Sequence, residues 1–309
     1  MKLGFIIPHY HGEKRVALLP QDIDSFENEI YIEKGFAGLM GIEDAEYSQR
    51  GCTIASREDI FRLCDAVFCL KLVQPEDYPL LRKGQMIIGW THPNGSGKEF
   101  YENVAKPLDL KIVDLDNIYP TLYYHDIKIP ISFIPRDFIR RNSFIAGIAS
   151  VQDALIRYGL IPSGEKVAVL ANGNVSQGAF YALSKYDLDL RMFYRKTMNQ
   201  FYDTIDQYDI VVNGIEVDNP NQHIISKQQL AQMKKGCLII DAAADAGNAI
   251  EGTHFVPIDK PMYEENGLFF YEVNNVPSLV YRTASKEISR SFSEWVYKKD
   301  IKQFFELLH

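Results

Sequence analysis

Short apolar runs alternate with stretches of helical spacing along most of the chain. In the first part the runs predict strands at Leu3 to Ile7, Glu29 to Ile32, Ala66 to Leu70, Met86 to Gly89 and Lys111 to Val113. Between them, Pro20 to Phe26 and Ser56 to Leu63 predict helices, and Ser56 is placed to cap the second. Strands alternating with helices imply a parallel sheet covered on both faces. Residues 115–135 break this rhythm. Prolines in apolar surroundings, Ile118-Tyr119-Pro120 and Ile129-Pro130-Ile131, suit a connector or an edge hairpin.

Arg136 to Tyr158 then predicts one long helix, with Ile139, Phe144, Ile148, Val151 and Leu155 at helical spacing, ending near Gly159. Strands follow at Val167 to Leu170, Leu190 to Tyr194, Ile210 to Val212, Leu238 to Asp241 and Leu268 to Glu272. Ser285 to Leu308 predicts a final helix that returns to the first domain. The expectation is an α/β protein of two doubly wound parallel-sheet, Rossmann-like domains separated by a cleft. The first holds residues 1–135 with 284–309, the second residues 136–283.

A chain of 309 residues is long enough for two cores. Its net charge of −8 disfavours a general affinity for nucleic acid or anionic membranes, so neither is an expected partner. No apolar run is long enough to cross a bilayer, and the N-terminal run is too short for a signal peptide. Cys52, Cys64, Cys69 and Cys237 form no C-x-x-C pair and no zinc constellation. They are expected to be reduced thiols in a cytoplasmic protein without a metal site.

Candidate chemistry begins after Val167-Ala168-Val169-Leu170, where Gly173, Asn174, Val175, Ser176, Gln177 and Gly178 open a helical pattern. A strand, a glycine turn and a helix make the phosphate-binding corner of a dinucleotide unit. The middle glycine of G-x-G-x-x-G is Val175, which limits close approach. The next strand ends at Phe193-Tyr194-Arg195-Lys196. An NAD-binding chain usually carries an acid there for the ribose hydroxyls. Arg195 and Lys196 are instead suited to a 2′-phosphate, so the expected cofactor is NADP(H). Asn213, Gly214 and Ile215 follow a third strand and lie where a ribose or nicotinamide would approach. The small residues of Asp241 to Asn248 leave room for the nicotinamide ring.

In the first half, Arg15 follows the first strand, Lys71 ends another, and His92 ends a third in Trp90-Thr91-His92-Pro93. All three fall at the edge where open α/β sheets bind ligands. By position alone, a helix-capping Arg or a satisfied His is the commoner case.

These residues carry a family resemblance. Arg15 in KRVALLP, the segment Ile32 to Cys52, Lys71, His92 and Val273 to Ser285 are similar to the alanine dehydrogenase and pyridine nucleotide transhydrogenase superfamily. This chain is shorter than alanine dehydrogenases, and its glycine turn and Arg195 differ from theirs. GWTHPNGSGKEF, VDLDNIYP, GNVSQGAF, MFYRKTMN and DAAADAGNAIEG more closely resemble the N5-(carboxyethyl)ornithine synthase family, smaller relatives in that superfamily.

The resemblance implies NADPH-dependent condensation of pyruvate with the side-chain amine of ornithine or lysine, followed by reduction of the imine. It also implies a homo-oligomer. In that chemistry Arg15 suits the pyruvate carboxylate. Lys71 would polarise the keto oxygen or share the carboxylate, and His92 would serve as general acid and base. Asp245 is a second candidate beside the nicotinamide, or the receiver of the substrate's amino group. Ser143 and Asn275 match superfamily positions near the cofactor. Alanine dehydrogenase or saccharopine-type chemistry is the nearest rival. A non-catalytic NADP(H) sensor is the rival from another class.

Overall fold

The computed structural model describes residues 1–116, 119–217 and 222–308. Asn117 and Ile118, part of the VDLDNIYP motif, lie outside the described residues. The chain divides into two compact units, Met1–Ile139 with Tyr281–His309, and Arg140–Val280. Each is built on a doubly wound, mostly parallel sheet, as the alternating pattern predicts. Among the described residues no helix is long and apolar enough to cross a membrane.

Unit 1 contains β1 (Lys2–Phe5), β2 (Glu29–Glu33), β3 (Thr53–Ala55), β4 (Ala66–Cys69), β5 (Met86–Gly89), β6 (Lys111–Asp114), β7 (Thr121–Tyr124) and β8 (Ile127–Pro130). They form one sheet in the order β3-β2-β1-β4-β5-β6-β7-β8. β1 to β6 run parallel, and β7 and β8 add an antiparallel edge hairpin. Because strand side chains alternate, Leu3, Phe5, Phe68, Ile88 and Trp90 enter one core, while Ile6, Val67, Cys69 and Ile87 enter the other. The C-terminal segment packs on the first face. Its Tyr297 ring lies 4.8 Å from Phe5 and 5.1 Å from Phe68.

Three predicted helices differ in extent. Ser56 caps Arg57–Leu63 by accepting from the Asp59 amide at 3.1 Å, but Pro20 to Phe26 yields only a 3-10 turn over Pro20–Asp22. Ser25 there takes a left-handed φ of 54°. The long helix begins at Arg140 rather than Arg136, because Pro135 and a left-handed Asp137 (φ 57°) precede it. The final helix is not continuous. Tyr281–Phe292 widens into a π turn at Ser293–Tyr297, and helix resumes at Lys302–Glu306. Asn28 replaces the missing helical bonds across this break. Its Nδ2 donates to the Tyr297 and Lys299 carbonyls at 2.9 and 2.7 Å, and its Oδ1 accepts from the Ile301 amide at 3.0 Å.

Unit 2 contains β9 (Ser163–Leu170), β10 (Asp187–Phe193), β11 (Ile210–Asn213) and β12 (Leu238–Asp241). The short pair β13 (Ala246–Gly247) and β14 (Ile250–Glu251) stands apart from the main sheet. β15 (Met262–Glu265) and β16 (Leu268–Tyr271) complete that sheet in the order β10-β9-β11-β12-β16-β15, antiparallel only at β15. Helix Arg140–Tyr158 packs against helix Asn174–Leu183. Their backbones meet where both carry glycine. A Cβ on Gly147 would stand 1.9 Å from the Val175 carbonyl oxygen, and one on Gly178 would stand 1.9 Å from the Phe144 carbonyl oxygen.

A methyl group at either point would force the two helices apart. Gly147→Ala and Gly178→Ala are each expected to destabilise the protein by roughly 1–3 kcal/mol. The check is urea denaturation, with a lowered midpoint and an unchanged slope.

Candidate active site

The order of the unit 1 strands sends the connections of β1 and β4 to opposite sides, opening a crevice at their C-terminal ends. Arg15 lies on the segment after β1, Lys71 two residues after β4, His92 three after β5, and Asp116 two after β6. Four chemical side chains therefore come from adjacent strand ends.

Arg15 is buried, and its Nε and Nη2 donate to Glu13 Oε1 and Oε2 at 2.9 and 2.6 Å. A buried cation needs such a partner, and the fork geometry of guanidinium matches a carboxylate. The guanidinium carbon lies 4.5 Å from the centroid of the Trp90 ring. Lys71 Nζ lies 5.5 Å from the same ring and 5.6 Å from that of Tyr10. Trp90 thus contacts both cations through its electron-rich π-system. Its own Nε1 is buried without an acceptor among the described residues. Burial drives the Lys71 ammonium below its usual range, with the Arg15 charge adding to the effect. Asp116, Glu13 and Asp114 oppose it. Two buried cations and an unsatisfied N–H make this crevice suited to a small anion.

His92 takes a left-handed φ of 45°, an uncommon conformation outside glycine. Fully buried Asp114 pins the turn, accepting from the Thr91 amide at 2.9 Å, the Thr91 hydroxyl at 3.2 Å and the His92 amide at 3.3 Å. Burial first, and then the Asp116 charge, raise the Asp114 carboxyl above its usual range. The His92 side chain is about one-third exposed, with Nδ1 3.0 Å from Asp116 Oδ2. A carboxylate only accepts, so in the neutral imidazole the proton is assigned to Nδ1 and Nε2 is the base. Asp116, Glu13 and Trp90 are absent from the residues singled out by sequence. Trp90 and Asp116 do lie inside motifs quoted above and Glu13 directly precedes one, but only the fold reveals their pairings.

In unit 2 the glycine turn is a helix N-terminus. Gly173 caps Asn174–Leu183, and no atom lies within 4 Å of where its Cβ would stand. An anionic pyrophosphate fits there, against the amides of Asn174 and Val175 and the positive end of the helix. Three residues of the predicted set also have structural contacts of their own. Gln177 gives its amide to the Gly173 carbonyl at 2.9 Å, and buried Ser176 gives its hydroxyl to the Leu170 carbonyl at 2.7 Å. Gly178 lies against the Phe144 backbone of the neighbouring helix. Arg195 and Lys196 stand exposed in the turn after β10, with no ion-pair partner among the described residues. That placement suits a phosphate.

Asn213 is buried and closes its own loop. Its Nδ2 donates to the Ile215 carbonyl at 3.0 Å and to Asp241 Oδ1 at 2.9 Å, and its Oδ1 accepts from the Ile215 amide. Gly214 lies against Ser176, whose Oγ would be 2.1 Å from an added Cβ. Asp245 accepts from the Val217 amide and from Asn248 Nδ2, both at 2.8 Å, and ties the loops after β11 and β12 together. Each of its oxygens keeps a further lone pair for a ligand. Ser143 lies in the first turn of helix Arg140–Tyr158. Asn275 takes a left-handed φ of 73° and donates to Ser278 Oγ at 3.1 Å.

Two family models match the chain. One described as alanine dehydrogenase/PNT, N-terminal domain, matches residues 9–118, and the corresponding C-terminal domain matches residues 145–308. A Clostridium botulinum protein named N(5)-(carboxyethyl)ornithine synthase is 54% identical over 309 residues, covering 100% of this chain and 98% of its own. A protein of that name from Lactococcus lactis subsp. lactis is 51% identical, covering 99% and 98%. The fold resembles that of a solved L-alanine dehydrogenase, with a TM-score of 0.77 at 20% identity over 96% of this chain and 89% of that one.

The Arg15–Glu13 pair yields a stability prediction. Glu13→Ala leaves the buried guanidinium without its bidentate acceptor, and should cost about 3–5 kcal/mol. Denaturant unfolding of the variant measures it.

Proposed function

Because the chain belongs to the alanine dehydrogenase/PNT family, in the branch of the N(5)-(carboxyethyl)ornithine synthases, we propose that this oxidoreductase joins pyruvate to the side-chain amine of ornithine. Lysine would give the N6 analogue. One keto acid, one amine, NADPH and a proton yield N5-(1-carboxyethyl)ornithine, NADP⁺ and water. The observation that carries this reading is the anion-receptive crevice of Arg15, Lys71 and Trp90 beside the His92–Asp116 pair.

Arg15 holds the keto-acid carboxylate. The Lys71 ammonium lies toward the carbonyl oxygen and stabilises negative charge as the amine adds. His92 Nε2 accepts a proton from the attacking amine and returns it to the departing hydroxyl, which leaves as water. Asp116 holds the ring in the required tautomer and stabilises the imidazolium that forms. Asp245 receives the ammonium of the incoming amino acid. The amides of Asn174 and Val175 hold the cofactor pyrophosphate, and Arg195 and Lys196 hold its 2′-phosphate. Gly214, Ile215, Asn275 and Ser143 belong to its nicotinamide side. When bound, the cofactor supplies the hydride that reduces the imine carbon.

All four cysteines are buried free thiols, which suits a reducing cytoplasm. Assembly as a homo-oligomer rests on the family resemblance.

Two variants test the assignment. His92→Ala should lower turnover by about two or more orders of magnitude with NADPH affinity nearly unchanged. An active variant would remove His92 from the mechanism. Arg195→Asp should weaken NADPH far more than NADH, read from kcat/KM with each. Equal losses would place the guanidinium away from the phosphate.

A further inference from the structure

Two buried carboxyl groups face each other at the C-terminal edge of the unit 2 sheet. Asp241 ends β12 and Glu272 follows β16, and both are 0% exposed. Asp241 is surrounded by donors. Its Oδ1 accepts from Asn213 Nδ2 at 2.9 Å and the Ala243 amide at 3.2 Å, and its Oδ2 accepts from the Asp245 amide at 2.9 Å.

Glu272 differs. It stands beside Asp241, because Ile240 and Tyr271 pair across β12 and β16, yet no donor among the described residues serves either of its oxygens. Thr253, also against it, gives its hydroxyl proton to the Ile250 carbonyl at 2.9 Å and accepts from the Gly247 amide at 2.9 Å. Asp245 adds another negative charge, and Tyr263 on the edge strand faces Glu272 with His254 stacked on its ring at 4.2 Å. Neither Lys nor Arg is among these neighbours. Among the described residues no group of acidic, His or Cys side chains is placed to hold a metal ion.

Two ionised carboxylates cannot share such a site, because neither charge is hydrated and each opposes the other. A neutral acid resolves the conflict, since it has a proton to donate and Asp241 has oxygens to receive it. Burial, with the Asp241 charge second, pushes the Glu272 carboxyl up to about 10.

We propose that Glu272 is held in the fold as a neutral acid that donates its proton to Asp241, and that it is thereby the positioning residue for the loops carrying Asn213 and Asp245. The Asp241 carboxylate then joins three strand ends. Asn213 comes from β11, the Asp245 amide from the segment after β12, and Glu272 from the end of β16. The consequence for catalysis rests on the function proposed above, but the shared proton does not.

Glu272→Gln tests both parts, because its amide also donates to Asp241 but cannot titrate. As pH rises, the unfolded chain releases the Glu272 proton near its ordinary value of 4.5 while the folded chain keeps it. Wild-type stability therefore falls with rising pH across that window, and the variant lacks this loss. The melting temperature of Glu272→Gln minus that of wild type should climb steadily from about pH 5 to pH 9. A difference that does not change with pH overturns the neutral acid.

For positioning, Glu272→Gln should keep turnover and NADPH KM within about threefold of wild type, while Glu272→Leu, which lacks a donor, should lose about tenfold or more in turnover. Equal activity of the folded Gln and Leu variants overturns the positioning role. So does equal loss in both variants when their melting temperatures show them folded. If wild type itself fails to turn over pyruvate with ornithine, the assigned reaction is wrong, and the pH series still decides the proton.

Discussion

Two cations buried at the end of a parallel sheet are the constraint around which unit 1 is arranged. Arg15 and Lys71 contact one indole, and neither lies in bulk water. Removing a cation from water costs several kcal/mol unless an opposite charge or good hydrogen bonds replace the lost hydration. Glu13 supplies that for Arg15. Lys71 has weaker compensation, which is why its ammonium is held less firmly than in water. In the proposed reaction an arriving keto-acid carboxylate would supply what the crevice lacks, so that ligand binding and relief of desolvation would be one event.

His92 shows the same logic in backbone form. Its left-handed conformation is unfavourable for a histidine, and Asp114 maintains it through three hydrogen bonds from Thr91 and His92. The strain places the ring where Asp116, two residues after the next strand, reaches Nδ1. Unit 2 uses buried carboxyl groups in the same way, around a left-handed Ala244 (φ 56°). There Asp241 and Asp245 bind backbone amides and side-chain amides of neighbouring loops, fixing the strand ends that the cofactor would meet. Both units put their costliest buried groups at the C-terminal edge of the sheet, and both use them to hold loops.

Much of this was legible in the sequence because it is local. Apolar runs located the main strands, Ser56 capped its helix, and the glycine turn opened Asn174–Leu183 as expected. Arg15, Lys71 and His92 were visible because each follows a strand. The partners that give them meaning were not. Nothing in the spacing marks Glu13, two residues before Arg15, as its acceptor, and Asp116 pairs with a histidine twenty-four residues earlier through the register of β5 and β6. Glu272 sits in an unremarkable YEVNN segment, and only the neighbouring β12 shows that its oxygens lack donors. The break in the last helix depends on Asn28, nearly the full length of the chain away. The last glycine of the motif, Gly178, also serves helix packing against Phe144, a contact that spacing alone does not show.

The central claim is that a keto acid held by buried cations is joined to an amine and then reduced. It is tested most directly by supplying pyruvate, ornithine and NADPH bearing deuterium at the transferable position, and weighing the product. The expected product is one new compound with the mass of carboxyethylornithine plus one deuterium, the label lying on the carbon that was the pyruvate carbonyl. Deuterated lactate, deuterated alanine formed from ammonia alone, or NADPH oxidation without ornithine in the product would contradict it.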